Sequence, residues 1–280
     1  MRADGRERGA ALVVVLWICM LVALLAGAFT LSLTLEARRL SAQQRSAEAR
    51  ALLEAGLAHA VMGVLHPDIR QRRLADGGAW RVREGDALLT VRVWDEAGRI
   101  DLNRAPPEAV MGVARAVGEE VAGAELLLRR DGKEPLRSLA ELAGYGLGGD
   151  AYRRLAPLVT VHNPIEGGGL AVAVAPPAAL RAWPGVSEAD VALVMRARER
   201  AAQGFSTEAA ARLAGLGLSL DPPQGPLYTV RVEVETQGGA RASAEAVLLL
   251  SVDGPRPYRI LEWREPAPDL DLDASLDNGS

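Results

Sequence analysis

An uninterrupted apolar segment, Ala10 to Leu35, places the strongest constraint on how this chain can fold. No charged residue falls within it. A helix rises about 1.5 Å per residue, so the segment is long enough to cross the ~30 Å apolar core of a bilayer. A soluble protein would have to bury such a helix on every side. We therefore predict a membrane-spanning helix over residues 10–35.

The flanks of this segment allow three interpretations. It is an ordinary signal peptide cleaved at the small residues 26–28, although the apolar run is long for one and continues past that site. It is an uncleaved anchor. Or residues 1–9 are a prepilin-type leader, cut between Gly9 and Ala10 on the cytoplasmic side, and the helix is retained. Arginines on both sides of the segment leave its orientation open.

A second helix is predicted directly after the apolar segment. Residues 36–65 are rich in Ala, Leu, Arg and Glu, and no proline occurs before Pro67. An apolar half-helix that runs into an amphipathic one is the shape of a pilin-like subunit, which favours the prepilin interpretation. The amphipathic half has one apolar stripe at three-, four- and seven-residue steps: Leu40, Ala47, Leu53, Leu57, Val61 and Val64.

Alternating apolar and polar residues predict two blocks of β-strands, over residues 80–94 and 228–263. Residues 84–86 form a hairpin turn in the first block. The alternation in Tyr228–Glu235 is strict, which is typical of a sheet with one solvated face. We therefore predict that Arg231 and Glu233 point into solvent.

The segment between the two blocks, residues 100–226, is predicted to be almost wholly helical. An Ala-Pro-Pro motif occurs twice, at Ala105 and at Ala175, and each copy marks a helix start because proline is favoured in the first helical turn. Ser138 is a candidate cap of a further short helix. The pattern predicts two bundles, about 100–163 and 170–226. Three glycines at 167–169 are interpreted as a flexible connection, since no Lys-Ser/Thr follows them to make a phosphate loop.

The second bundle contains a candidate DNA-binding hairpin. Residues 183–187, Trp-Pro-Gly-Val-Ser, resemble the turn of helix-hairpin-helix modules, whose backbone amides bind a phosphate. However, Ser187 replaces the expected second glycine, and Pro184 removes an amide donor. Three arginines follow, at positions 196, 198 and 200. A membrane-anchored DNA-binding protein is therefore an alternative to a purely structural helical fold.

Composition excludes several classes of function. The formal net charge is -4, which argues against nucleic acid as a main partner. Cys19 is the single cysteine, so no disulfide forms within the chain, and the three histidines lack a metal-ligand spacing. With no nucleophile–base pair or metal cluster in the sequence, we predict a non-enzymatic protein without a cofactor.

The order of these parts resembles the type II secretion minor pseudopilin K family (general secretion pathway protein K). The resemblance extends from Gly9 to about Glu265. It rests on the leader, the long N-terminal helix, and three phrases: Gly98-Arg-Ile-Asp-Leu-Asn103, Leu155-Ala-Pro-Leu-Val-Thr-Val161 and Arg256-Pro-Tyr-Arg-Ile-Leu-Glu-Trp-Arg264.

Membership of that family implies an α+β fold: a pilin-like long N-terminal helix packed on an antiparallel sheet, with a large α-helical insert between strands. It implies cleavage after Gly9 and N-methylation of Ala10 by the prepilin peptidase. The subunit would sit in the inner membrane with a single pass and a periplasmic head. It would act at the pseudopilus tip with minor pseudopilins I and J and other pseudopilins, supporting export of folded proteins across the outer membrane.

Val14 is a candidate determinant of the tip position. Most pseudopilins carry Glu at the fifth mature residue, where it is thought to pair with the amine of the subunit ahead. If Ala10 is the first mature residue, the fifth is Val14. An unpaired carboxylate in the membrane costs about 2.5–3.5 kcal/mol, so an apolar residue suits a subunit with nothing ahead of it.

Some members of the family bind calcium, which needs several converging oxygen ligands. No calcium ligands can be assigned from the sequence, and its acidic C-terminal segment is predicted to be disordered. The predicted organisation is a leader (1–9), a transmembrane or filament-core helix (10–35), an amphipathic helix with the first strands (36–99), the insert (100–226), closing strands (227–265) and an acidic tail (266–280).

Overall fold

The computed structural model of the chain describes residues 16, 17, 20, 21, 24, 39–41, 43–66, 68, 71–132, 134–199, 205–221, 225–251 and 257–265. The chain divides into two units, Met1–Ala51 and Leu52–Ser280. The described residues of the first unit are helical, and its apolar side chains from Leu16 to Leu24 are 55% to 67% exposed where they are described. Among the described residues, no helix combines the length and apolar character of a membrane span. Most of the predicted span, residues 10–35, lies outside them.

The second unit contains seven helices and nine strands among its described residues. Its helices are α1 (52–64), α2 (Pro107–Val117), α3 (Glu120–Asp131), α4 (Gly149–Leu155), α5 (Pro177–Ala182), α6 (Glu188–Glu199) and α7 (Thr207–Gly215). Its strands are β1 (Asp76–Glu84), β2 (Ala87–Asp95), β3 (Ile100–Asp101), β4 (Val159–Thr160), β5 (Leu170–Ala171), β6 (Leu218–Ser219), β7 (Leu227–Thr236), β8 (Arg241–Leu250) and β9 (Tyr258–Arg264).

Helix α1 packs on one face of the main sheet. Leu53, Leu57, Val61 and Val64 from the predicted apolar stripe are buried there, against the valines of β2 and β7. Helix and sheet lie so close that a Cβ atom at Gly56 would overlap the side chain of Val232. The stripe therefore holds α1 on the sheet through apolar burial, which stabilises by about 25 cal/mol for each Å² removed from water.

The main sheet has five antiparallel strands in the order β1-β2-β7-β8-β9. The chain leaves it at Asp95 and returns at Leu227, so the helices α2 to α7 form an insert between two neighbouring strands. This arrangement of helix, antiparallel sheet and helical insert confirms the predicted α+β fold class. Helices α2 and α5 begin at Pro107 and Pro177, as the two Ala-Pro-Pro motifs predict.

The insert consists of two halves with the same order of elements. The first half runs from β3 through α2 and α3 to α4 and β4, and the second from β5 through α5 and α6 to α7 and β6. In each half the first and last strands pair in parallel. In each half a left-handed glycine joins the first two helices, Gly118 with φ 79° and Gly185 with φ 78°.

The two halves contact one another reciprocally. A Cβ atom at Gly98 would lie 2.8 Å from the backbone of Val174, and one at Gly168 would lie 2.6 Å from the backbone of Arg104. These two contacts are equivalent: Gly168 lies 70 positions after Gly98, and Val174 lies 70 positions after Arg104. Between them α2 crosses α5, where a Cβ atom at Gly112 would overlap the carbonyl oxygen of Ala182. Reciprocal contacts of this kind are typical of an interface with two-fold symmetry, and here the two related halves belong to one chain.

Both halves contribute to a single hydrophobic core that extends from Ile100 to Leu218. The middle one of the glycines at 167–169 belongs to this packing: Gly168 is buried in a 3-10 turn, Glu166–Gly168, against the first half. The prediction of a flexible connection at these glycines is therefore wrong. Gly168 is needed there because its φ is 71° and the neighbouring backbone leaves no room for a side chain.

The crossing of α2 and α5 can be tested with Gly112→Ala. Alanine is the better helix former by about 1 kcal/mol, so any loss of stability reports the close packing against Ala182. We expect the free energy of unfolding to fall by about 1–3 kcal/mol in urea denaturation of the full chain. Gly215→Ala, at a helical glycine with open space around it, is the matched control and should leave stability unchanged or raise it. Equal effects of the two variants would contradict the packing.

Candidate functional site

The residues predicted from sequence to have special roles, Gly9, Ala10 and Val14, lie outside the described residues. The structure instead brings together the three phrases that carry the family resemblance. They meet between the outer face of the main sheet, opposite α1, and the insert. We call this contact the polar layer; it comprises the side chains of Glu96, Arg99, Ser138, Tyr152, Thr160, His162, Thr229, Glu245, Glu262 and Arg264.

A tight turn at the end of β2 places the first two members. Asp95 caps the 3-10 turn Glu96–Gly98 by accepting a hydrogen bond from the amide of Ala97 at 2.9 Å. The turn directs Glu96 and Arg99, three residues apart, into the same contact. Burial raises the pKa of Asp95 to about 7, against the opposing effect of the Ala97 amide. The cap therefore changes charge near neutral pH.

Arg99 links the sheet to the insert. Its side chain is 2% exposed, and its Nη1 donates to Glu96 Oε1 at 2.7 Å and to Thr229 Oγ1 of β7 at 2.8 Å. Its Nη2 donates to the carbonyl oxygen of Ala156. A buried charge is tolerated only when it is paired and hydrogen-bonded. Glu96 supplies that pair, so the two residues are held in the core together.

Glu96 is itself fully buried and has three donors. Besides Arg99, the hydroxyl of Thr229 donates to its Oε1 and the hydroxyl of Thr160 to its Oε2. Thr160 belongs to β4 at the end of the first half of the insert, whereas Thr229 belongs to the sheet. One carboxylate thus joins three segments that are distant in sequence.

Strand β9 is tied to the insert through Glu262. Its Oε1 lies 2.8 Å from His162 Nε2, and its Oε2 accepts a hydrogen bond from the hydroxyl of Ser138 at 2.7 Å. The hydrogen bond to Glu262 raises the pKa of His162 despite partial burial. Burial alone would raise the pKa of Glu262, but the bonds from His162 and Ser138 outweigh it and the pKa is lowered. Both groups are therefore charged in mildly acidic solution.

A second link joins β9 to α4. Arg264 Nη2 donates to Glu245 Oε1 of β8 at 2.7 Å, and its Nη1 donates to the hydroxyl of Tyr152. The guanidinium also lies over the Tyr152 ring, 5.8 Å from its centroid. Burial raises the pKa of Tyr152 to about 12, so its hydroxyl stays protonated. The insert is thus fastened to β9 at two positions, Glu262 and Arg264.

The prediction of a solvated outer face is wrong for the middle of β7. Arg231 is 7% exposed, Glu233 9%, and Glu245 beside them 4%. Arg231 Nε donates to Glu233 Oε1 at 3.0 Å, so these two charges are stabilised by each other instead of by water. The insert contacts this side of the sheet at Glu262 and Arg264 of β9, and a strand's alternation carries no information about a distant covering layer.

The second-half hairpin holds a carboxylate of its own. Asp190 Oδ2 accepts hydrogen bonds from the amide and hydroxyl of Ser187, at 2.9 and 2.6 Å. Arg212 of α7 donates to both oxygens of Asp190, at 2.7 and 2.9 Å. These bonds, from Arg212 first and then Ser187, hold the pKa of Asp190 far below its usual range. The amide that a DNA phosphate would need is therefore occupied by Asp190.

The corresponding hairpin of the first half is also unsuited to phosphate. Gly118 is followed by Glu119 and Glu120, which place two negative charges at the start of α3. Repulsion between carboxylates and phosphates opposes binding. The arrangement at both hairpins favours a structural role for the insert over the DNA-binding alternative.

The structure offers no assigned metal site within the residues that it describes. No three His, Cys, Asp or Glu side chains among them stand together as metal ligands do. The acidic tail, residues 266–280, lies outside the described residues. Calcium binding is therefore an implication of the family resemblance alone, with unknown ligands.

Similarity of this chain to known proteins is found at the level of structure. No protein-family model matches the chain. No curated protein matches it. Among solved structures, the chain is similar to a chain in the crystal structure of the GspK-GspI-GspJ complex from the type 2 secretion system of enterotoxigenic Escherichia coli. The TM-score is 0.49 at 14% identity, covering 81% of this chain and 99% of that chain.

The link between Glu262 and His162 can be tested by its pH dependence. His162 has a raised pKa in the folded state, so its contribution to stability is complete below 6.5 and is lost as pH rises through the folded value. Glu262 has a lowered pKa, so it stays charged down to below 4.5. We expect Glu262→Gln to lower the free energy of unfolding by about 1–2 kcal/mol near pH 5.5, and by less near pH 8.5.

Glu84→Gln is the matched control, since Glu84 lies 3.2 Å from His59 in a more exposed pair. Solvent screens such a pair, so its loss should change stability little at either pH. Urea denaturation of each variant at both pH values gives the comparison. A destabilisation by Glu262→Gln that is the same at both pH values would show that the charge of His162 does not contribute.

Proposed function

We propose that this chain is a minor pseudopilin of the K type, a structural subunit of a type II secretion system that supports export of folded proteins across the outer membrane. The observation that carries the proposal is the polar layer. It joins a helical insert to a helix-on-sheet head through the three sequence phrases in which the chain resembles that family. The same segments carry both the sequence resemblance and contacts between the insert and the head, and the two observations together support the proposal more strongly than either alone.

The shape of the head supports a position at the filament tip. The insert lies in the chain between β2 and β7, and it is fastened to β9 of the sheet by hydrogen bonds of Ser138 and His162 to Glu262 and of Tyr152 to Arg264. A subunit of this kind presents a broad, fixed mass on its outer side. A head too wide to be stacked under another copy would suit the first position of a filament.

Val14 supports the same position from the opposite end of the chain. A fifth mature residue with a carboxylate would need an amine from the subunit ahead, because an unpaired charge costs about 2.5–3.5 kcal/mol in the membrane. Valine removes that requirement. We therefore propose that Val14 allows this subunit to lead, with minor pseudopilins I and J behind it.

Under this proposal the protein is a structural subunit and not an enzyme. The ionisable side chains that the structure buries at the polar layer are paired with one another or with hydroxyl groups, which suits them to fastening segments together. Its activity is assembly: insertion in the inner membrane with a periplasmic head, then incorporation into the filament.

Assembly is tested by co-expression of the full chain with minor pseudopilins I and J from the same source and extraction in a neutral detergent. We expect a ternary complex in native mass spectrometry. Arg99→Met should weaken it, because the substitution leaves Glu96 as an uncompensated buried charge and loosens the insert, an effect of about 3–5 kcal/mol on stability. Arg181→Met, at an exposed arginine, is the control. Absence of any complex with the unaltered chain would refute the proposal.

The leader is tested by mass spectrometry of the mature N-terminus. With prepilin peptidase co-expressed, we expect the chain to begin at an N-methylated Ala10, and Gly9→Leu to abolish that cleavage. Ala28→Leu, which blocks an ordinary signal-peptide site, should have no effect. A chain that begins at Phe29 would show an ordinary signal peptide, and one that retains residues 1–9 would show an uncleaved anchor.

A further inference from the structure

Helix α3 exposes two large apolar side chains on the outside of the insert. Val121 is 83% exposed and Leu128 is 73% exposed. They are seven residues apart, so they lie on the same side of the helix, with Glu125 between them. Single exposed leucines are ordinary, so exposure alone does not make this side of α3 a binding surface.

The second half of the insert provides an internal comparison. Arg130 of α3 donates to the carbonyl oxygen of Ala105 at 2.6 Å, and Arg198 of α6 donates to that of Ala175, also at 2.6 Å. These equivalent contacts align the two helices. Leu128 then corresponds to Arg196, which is exposed on α6. The same fold is therefore built with an arginine at this position, and folding does not require the leucine.

A cleft of about 520 Å³ opens beside Leu128, between α3 and the 3-10 turn Leu139–Tyr145. Its walls include the carboxylates of Glu125, Glu134 and Glu141, and the guanidinium of Arg129. An apolar side chain at the rim and an excess of negative charge inside are thus combined in one surface.

The positive charge of Arg129 is already engaged within the cleft. Its Nη1 donates to the hydroxyl of Tyr145 at 2.6 Å, and its Nη2 donates to Glu141 Oε2 at 3.1 Å. Glu134 is 73% exposed and its carboxylate lies 3.7 Å from Arg129 Nε. Among the residues of the cleft that the structure describes, three carboxylates stand against one guanidinium, and a cation from outside would balance the excess of negative charge. Lys133 lies outside the described residues.

We propose that this surface, the cleft together with Val121 and Leu128, docks a basic segment of another protein. An arginine or lysine of the partner enters the cleft toward Glu125 and Glu134, while an adjacent leucine-like side chain packs on Leu128. Opposite charges steer the encounter and set specificity, and the apolar contact adds affinity. The surface is remote in sequence from the leader and from Val14, so the proposal does not depend on the function proposed above.

The experiment uses the full chain in a neutral detergent and a fluorescein-labelled peptide of about 12 residues in which arginine and leucine alternate. Fluorescence anisotropy should show saturable binding that weakens with added salt, because exposed charges are screened. Leu128→Arg should weaken binding about tenfold or more, equivalent to about 1.4 kcal/mol. This variant is expected to fold, since α6 carries Arg196 at the corresponding place, and its urea denaturation curve checks that.

Two matched controls accompany the test. Arg196→Leu introduces the apolar residue on α6 and should leave peptide binding unchanged. Glu166→Gln removes an exposed carboxylate elsewhere in the insert and should have no effect, whereas Glu134→Gln should weaken binding at low salt.

Three results would overturn the proposal. One is equal binding by the unaltered chain and Leu128→Arg. Another is equal affinity for a peptide in which glutamate replaces arginine. The third is self-association of the chain that Leu128→Arg abolishes, because it would make a second copy the occupant in place of a basic partner.

Discussion

The fold depends on one buried guanidinium. Arg99 reaches Thr229 in the sheet, Glu96 in the turn that leaves the sheet, and the carbonyl of Ala156 near the end of the first half of the insert. Removing a charge from water is costly, and only a partner of opposite charge with further hydrogen bonds offsets that cost. Arg99 and Glu96 therefore require each other, and together they require the sheet and the insert to be docked. Undocking the insert would remove the carbonyl of Ala156 from Arg99 and the hydroxyl of Thr160 from Glu96.

The rigidity of the insert has a separate source, the close approach of its two halves. Gly98, Gly112 and Gly168 each lie where a Cβ atom would meet the backbone of the other half. Packing at this distance admits few alternative arrangements, because protein interiors have little free volume. The insert consequently behaves as one body with one core, although its sequence contains two similar units.

How far the sequence determines this structure can be judged from particular residues. Local signals were sufficient for the strands of the main sheet and for the helix starts at Pro107 and Pro177, because period-two alternation and proline geometry act within a few residues. They did not reveal the four two-residue strands of the insert, which was predicted to be almost wholly helical. The buried state of Arg231 and Glu233 was not predictable, since the alternation of a strand does not show whether its polar face is covered by a distant part of the chain. Gly168 was misinterpreted for the same reason: a glycine required by a close contact resembles one that gives flexibility. The roles of Gly9, Ala10 and Val14 rest on sequence alone.

The duplication separates what folding needs from what it does not. Both halves keep the arginine that binds the Ala-Pro-Pro carbonyl, at 130 and 198, and both keep the left-handed glycine, at 118 and 185. They differ at their outer surfaces. The second half neutralises its hairpin internally through Asp190 and Arg212, whereas the first half leaves carboxylates in excess beside an exposed Leu128. Because the two halves meet the same folding requirements, a difference confined to exposed side chains is free to serve contacts with other molecules, and in this insert it lies on α3.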